Sequence, residues 1–298
     1  MSPLSHKRRL LHLATGASVA TAGILIAAKL AAWLLTGSVS VLASLVDSLM
    51  DAAASVVNLI AVRYSLEPPD AEHRFGHGKA ESLAGLAQAT FIGGSAVFLV
   101  LHAVDRLLHP RPLQDVPVGV SVMVFAIAAT LVLLAIQRYV IRRTGSTAIR
   151  ADSLHYRSDL LVNASIILAL MLETRGWTGF DPVFALAIAA YILYSAWHIG
   201  HDAFQLLMDR ELPPEMQERV RRVALDDARV LGIHDLRTRQ SGQTPFVQLH
   251  IELHPDMSLT EAHAIADHIE FAIRETLPGA DVIIHQDPTA PHEASGRA

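Results

Sequence analysis

Residues Val116 to Gln137 form a run of 22 positions without one charged side chain. A chain crossing the hydrocarbon of a bilayer must satisfy its own backbone polar groups, and a helix of about 20 apolar residues does so. The run therefore reads as a membrane span. Five further candidates lie near 11–36, 40–65, 80–108, 148–173 and 181–204, each apolar but interrupted by a few polar or ionisable residues. Lys7, Arg8 and Arg9 precede the first, as in a signal peptide. Five more spans follow it, so it is expected to remain as an anchor.

Charge supports the same reading. Charged residues make up 18% of the 298, against about 25% in soluble domains. The deficit is local: residues 1–204 carry a net +2 and residues 205–298 a net −7. A membrane domain (1–208), a soluble acidic domain (209–290) and a short tail (291–298) are the expected units. Such a balance gives no reason to expect a nucleic-acid partner. The chain has no cysteine and 16 histidines. Disulfides, iron–sulfur clusters and thiolate metal sites are thereby excluded, while imidazole and carboxylate ligation stays open.

Six spans put both termini on one side. Lys7, Arg8, Arg9, Arg63, Arg74, Lys79, Arg138, Arg142, Arg143 and Arg150 fall on the side of the termini, and Arg106, Arg111 and Arg175 on the other. Cytoplasmic loops collect Lys and Arg, so both termini are expected in the cytoplasm.

The acidic domain has an αββαβ rhythm. Pro213-Pro214 opens a helix to about Ala228, since proline costs nothing in a first turn. A strand over 232–240 and a turn at Ser241-Gly242 follow. Val247, Leu249, Ile251 and Leu253 then alternate with Gln248, His250, Glu252 and His254, a strand with one apolar face. Ser258-Leu-Thr-Glu261 is a capping box opening a helix to Leu277, and Asp281–His285 is a last strand. Ferredoxin-like α+β packing, with helices on one face of a sheet, is expected.

The acids inside the spans carry the chemistry. Asp47 and Asp51 are four apart and share a helix face, within the polar stripe Ser40, Ser44, Asp47, Ser48, Asp51, Ser55 and Asn58. The fifth span carries Asp152, His155, Asp159 and Asn163. In antiparallel spans Asp51 is level with His155, and Asp47 with Asp159. An aspartate at mid-membrane costs about 2.5–3.5 kcal/mol on insertion scales, and two such neighbours repel. A divalent cation reverses both effects. Three carboxylates and one imidazole form a tetrahedral N/O set suited to Zn²⁺, with Fe²⁺, Co²⁺ and Cd²⁺ as competitors, whereas Ca²⁺ and Mg²⁺ prefer oxygen alone.

Five strings make these residues recognisable: TGSVSVLASLVDSLMD at 36–51, RYSLEPPDAEHRFGHGKAES at 63–82, RADSLHYRSD at 150–159, HDLRTRQSG at 234–242 and DVIIHQDP at 281–288. Through them the chain resembles the cation diffusion facilitator family, and within it the bacterial zinc and ferrous-iron exporters. The resemblance implies a homodimeric, proton-coupled antiporter of the inner membrane, not an enzyme, which needs no organic cofactor. It exports divalent metal, with Asp47, Asp51, His155 and Asp159 as the transport site. Protons and metal compete for those ligands, which is the physical basis of exchange.

The resemblance also implies metal sites outside the membrane. On its residues alone, the loop with Asp70, His73 and His77 reads as solvated surface; the family pattern makes these three a second site. It assigns His234, His250, His263, His285 and Asp287 to a binuclear site near the dimer interface, with Asp287 able to bridge. The competing reading there is an acidic, well-solvated surface. Lys79 and Asp209 carry over as a charge pair. A membrane-anchored metal sensor is the alternative function, but an anchor has no use for paired intramembrane ligands. A hydrolytic metalloenzyme needs an open coordination position, which four ligands close. ATP-driven pumping would need a phosphate-binding glycine loop, and the chain offers none.

Overall fold

A computed structural model describes residues 3–36, 39–108, 117–173 and 180–289. The chain divides into two compact units, Ser5–Phe204 and a second beginning at Gln205. The run Val116–Gln137 falls within α4 except for Val116, which lies outside the described residues.

The first unit consists of long helices: α1 (Pro3–Thr36), α2 (Val39–Ser65), α3 (Lys79–Leu108), α4 (Pro117–Thr144), α5 (Thr147–Glu173) and α6 (Phe180–Leu207). At about 1.5 Å per residue each is longer than the roughly 30 Å of bilayer hydrocarbon. Leu34, Leu35, Phe98, Leu101, Tyr194 and Trp197 are exposed on them, an arrangement that water penalises and lipid accommodates.

Among the described residues, five helices are long and apolar enough to cross a membrane, and α5 is not one of them. The sequence expectation was six such spans. Arg150, Asp152, Arg157 and Asp159 dilute the apolar character of α5. The packing explains why that is tolerated. α5 lies against α2, α3 and α4. From Ser146 to Tyr156 every residue except Arg150 is buried, so Asp152 faces protein instead of lipid, while Arg150, Arg157 and Asp159 stay half-buried. The corner into α5 is made by Gly145 at φ 68°, a left-handed conformation that glycine adopts without a Cβ clash. On the far side, the backbone N–H of Thr147 donates to Glu81 of α3 at 3.2 Å, so a carboxylate from another helix caps α5.

The second unit runs α7 (Pro214–Leu225), β1 (Gly232–Ser241), β2 (Thr244–Leu253), α8 (Leu259–Thr276) and β3 (Asp281–Pro288). The sheet order is β1-β2-β3, antiparallel between the first two strands and parallel between the last two. Val247, Leu249, Ile251 and Leu253 join Val220 and Ala224 of α7 and Ile265, Ile269 and Ile273 of α8 in one core. The capping box is present: Glu261 N–H donates to Ser258 Oγ at 3.3 Å, and Ser258 N–H to Glu261 Oε2 at 3.1 Å. α7 ends three residues short of Ala228. Asp226 and Asp227 are unfavourable at a helix C-terminus, and Asp227 instead accepts from the backbone and guanidinium of Arg229. β3 extends past His285 because parallel pairing continues through Glu252 opposite Asp287.

Candidate metal centres

The membrane cluster joins two helices. Nε2 of His155 lies 2.9 Å from Oδ1 of Asp51 and 3.8 Å from Oδ2 of Asp159. One ligand atom from each of the three falls within 4.8 Å of the others. A tetrahedral zinc with bonds of about 2.0–2.1 Å has ligand atoms about 3.3–3.5 Å apart, so small side-chain shifts close the set. His155 is buried, and its Nε2 has no hydrogen bond of good geometry despite the nearby carboxylate. The group opens on a cleft walled by Met50, Phe91, Phe98, Leu99 and Val162, whose low polarity strengthens any charge interaction within it. Asp47 stands one turn before Asp51 on α2, and its side chain lies outside the described residues.

Behind the cluster, polar contacts fix the setting of α5. Asp152 is fully buried and accepts from Ser18 Oγ of α1 (2.6 Å), Gln137 Nε2 of α4 (2.8 Å) and Gln88 Nε2 of α3 (3.2 Å). The Tyr156 hydroxyl is 3.0 Å from Ser55 Oγ of α2 and donates to the Ser18 carbonyl at 3.2 Å. Sequence reasoning named Asp152 beside His155, Asp159 and Asn163 on the fifth span; the structure gives it separate partners on three other helices. Lys29 of α1 was missed. Its Nζ donates to Ser48 Oγ at 2.6 Å and to the Ser44 carbonyl at 3.0 Å, on the α2 stripe that carries Asp51. The available signal was a lone lysine within an apolar span.

The loop between α2 and α3 brings Asp70, His73 and His77 together, again within 4.8 Å. Oδ1 of Asp70 accepts the backbone N–H of His73 (2.6 Å) and of Glu72 (2.9 Å), and the His73 N–H holds its carboxyl below the usual range. Gly76 at φ 78° turns the chain back, so His77 Nε2 comes 3.2 Å from Asp70 Oδ2. His77 is buried, yet neither of its ring nitrogens has a hydrogen-bond partner. Buried polar atoms are normally satisfied, and a bound ion is one of the circumstances that leave such an atom without a protein partner. These donors fit a transition-metal ion.

In the second unit, sheet register builds the cluster. His234 stands opposite His250, and His250 opposite His285, a row of three imidazoles across three strands. Asp287 lies two residues beyond His285 on the same face. Its Oδ2 is 2.8 Å from His250 Nδ1 and 3.2 Å from His234 Nε2, and its Oδ1 is 3.2 Å from His285 Nε2. One carboxylate thus serves two sides, the arrangement a bridging ligand needs. The hydrogen bond with His250 holds the Asp287 carboxyl below its usual range. Glu252, unassigned from sequence, lies 3.2 Å from His234 Nδ1. His263 does not join this group; it sits in the first turns of α8 beside Asp267, at 3.5 Å. Asp209 pairs with Arg239 at 3.2 Å within the same unit.

Residues 16–208 match the cation efflux transmembrane domain family, and residues 212–289 the cytoplasmic domain of cation efflux proteins. The cation-efflux pump FieF of Pectobacterium atrosepticum is 52% identical over 294 residues, covering 98% of each chain. The FieF pump of Salmonella choleraesuis is 50% identical, over 97% of this chain and 96% of its own. That of Klebsiella pneumoniae is 52% identical, over 95% and 94% respectively.

Proposed function

The chain belongs to the cation efflux family of multi-pass membrane transporters, and from that premise we propose that it is a proton-coupled antiporter exporting Zn²⁺ from the cytoplasm. Fe²⁺, Cd²⁺ and Co²⁺ are chemically related cargoes. The observation that carries the reading is the Asp51–His155–Asp159 group on two membrane helices, its ligand atoms within 4.8 Å. Asp47, one turn along the same helix, supplies the fourth ligand of a tetrahedron.

An N/O shell selects a borderline transition metal over hard Ca²⁺ or Mg²⁺. The same atoms bind protons when the metal leaves, so occupancy by one excludes a full set of the other. Exchange follows when the site opens alternately to each side. The protein acts at the bacterial inner membrane with both termini in the cytoplasm, following the Lys/Arg distribution. It works as a homodimer, with residues 209–290 as a metal-binding cytoplasmic domain. The loop and sheet clusters bind further Zn²⁺ and tie cytoplasmic metal level to the transporter.

Purified protein in vesicles, under an imposed pH gradient, tests this with ⁶⁵Zn or a zinc-sensitive dye. Uptake should follow the proton gradient, collapse with an ionophore, and vanish in Asp51→Ala. Uptake indifferent to that substitution rejects the transport site. Uptake indifferent to the gradient rejects proton coupling.

A further inference from the structure

His234 is held between two carboxylates, one at each ring nitrogen. Nε2 is 3.2 Å from Asp287 Oδ2, and Nδ1 is 3.2 Å from Glu252 Oε1. A neutral imidazole has one N–H and one lone pair, so its two faces cannot play the same part. The Asp287 side is where His250 and His285 also converge, and it is the side on which a metal ion would sit. The Glu252 side is therefore the one that takes the proton. Metal-bound histidines commonly donate their second N–H to a carboxylate, which fixes the tautomer and the ring orientation.

The neighbouring strand has been left open for this carboxylate. Gly232 pairs with Glu252 across β1 and β2. A Cβ at position 232 would stand 2.8 Å from Glu252 Oε2 and 3.1 Å from its Cδ. Gly232 is not among the positive-φ glycines, so its backbone does not require glycine. What glycine provides is room. Two residues on, the register of β1 shifts between His234 and Arg237, with Asp235 at φ 47°. A bulge of this kind re-aims the adjacent side chain, here His234.

We propose that Glu252 is a positioning residue of the sheet metal site, accepting the Nδ1–H of His234 so that Nε2 is presented to the metal, and that Gly232 exists to admit it. The inference rests on the reading that this cluster binds metal. It adds a residue outside the expected ligand set, and it gives the glycine a function.

The test uses the full-length protein in detergent, with Asp51→Ala and Asp70→Ala removing the other two sites. Zn²⁺ affinity is measured by competition with a chromophoric chelator, and the His234 tautomer by ¹⁵N shifts. Glu252→Ala should weaken binding 10–100-fold, the usual effect of losing such a partner, and free the His234 tautomer. Glu252→Gln should recover part of the loss, because an amide oxygen still accepts the N–H. Gly232→Ala should weaken binding as Glu252→Ala does with little loss of stability, and the double variant should be no worse than either. Binding lost in Asp287→Ala but intact in Glu252→Ala overturns the inference alone. A parent protein with no binding at this cluster overturns the reading together with the inference.

Discussion

Nε2 of His155 and Oδ1 of Asp51 stand 2.9 Å apart, so a base on α5 and an acid on α2 share one space inside the membrane domain. The zinc preference proposed for that group rests on its one imidazole. His155→Asp would make the shell all oxygen, which suits hard cations. Zn²⁺ transport should fall at least tenfold, and Mn²⁺ should become the better competitor. Vesicle uptake of each ion, alone and in mixture, checks both outcomes.

Asp152 should matter for stability more than for ligation. Asp152→Ala leaves Gln88 without its acceptor in a buried site, and reduces Ser18 to the Ala14 carbonyl and Gln137 to Ser18 Oγ. A stranded group costs about 1–3 kcal/mol. The variant should unfold at markedly lower temperature in detergent, and Asp152→Asn should lie between it and the native protein. Thermal unfolding followed by circular dichroism measures the order.

Lys29 of α1 donates to Ser48, which stands about one turn from Asp51 on the α2 stripe. A fixed cation there opposes a bound divalent ion, by a few kcal/mol at most at such distances. Lys29→Met should bind Zn²⁺ roughly tenfold more tightly and turn over more slowly, and Lys29→Arg should retain native values. Equilibrium titration and uptake rate, measured on the same preparations, separate the two effects.

The turn after α7 should titrate in acid. Hydrogen bonds from Arg229 depress the Asp227 carboxyl to about 2, below the usual value of 3.8. A depressed acid stabilises the fold above its unfolded value, and that contribution is lost as pH falls through the folded one. Arg229→Met should therefore speed opening of β2 at pH 5–7, with the difference from the native protein fading between about pH 4 and pH 2. Amide hydrogen exchange across that range reads it.

Much of this was legible before any coordinates. The apolar runs marked the long helices, because bilayer thickness dictates their length. The i,i+4 spacing of His155 and Asp159 put them on one face, because helix geometry is local. The alternation in 247–253 likewise chose the core side of β2, and the capping box marked the start of α8. α5 was the instructive exception. Its charges dilute the apolar run, and the one that is fully buried, Asp152, meets Ser18, Gln88 and Gln137 instead of lipid.

Relations across the fold were another matter. Nothing in the chain order says that His234, His250 and His285 form one row, because strand neighbours and register are settled only when the sheet assembles. The use of Glu252 and Gly232, the three partners of Asp152 and the hold on Lys29 follow from the same rule. Local periodicity determines which face a residue shares, and tertiary packing alone decides what that face meets.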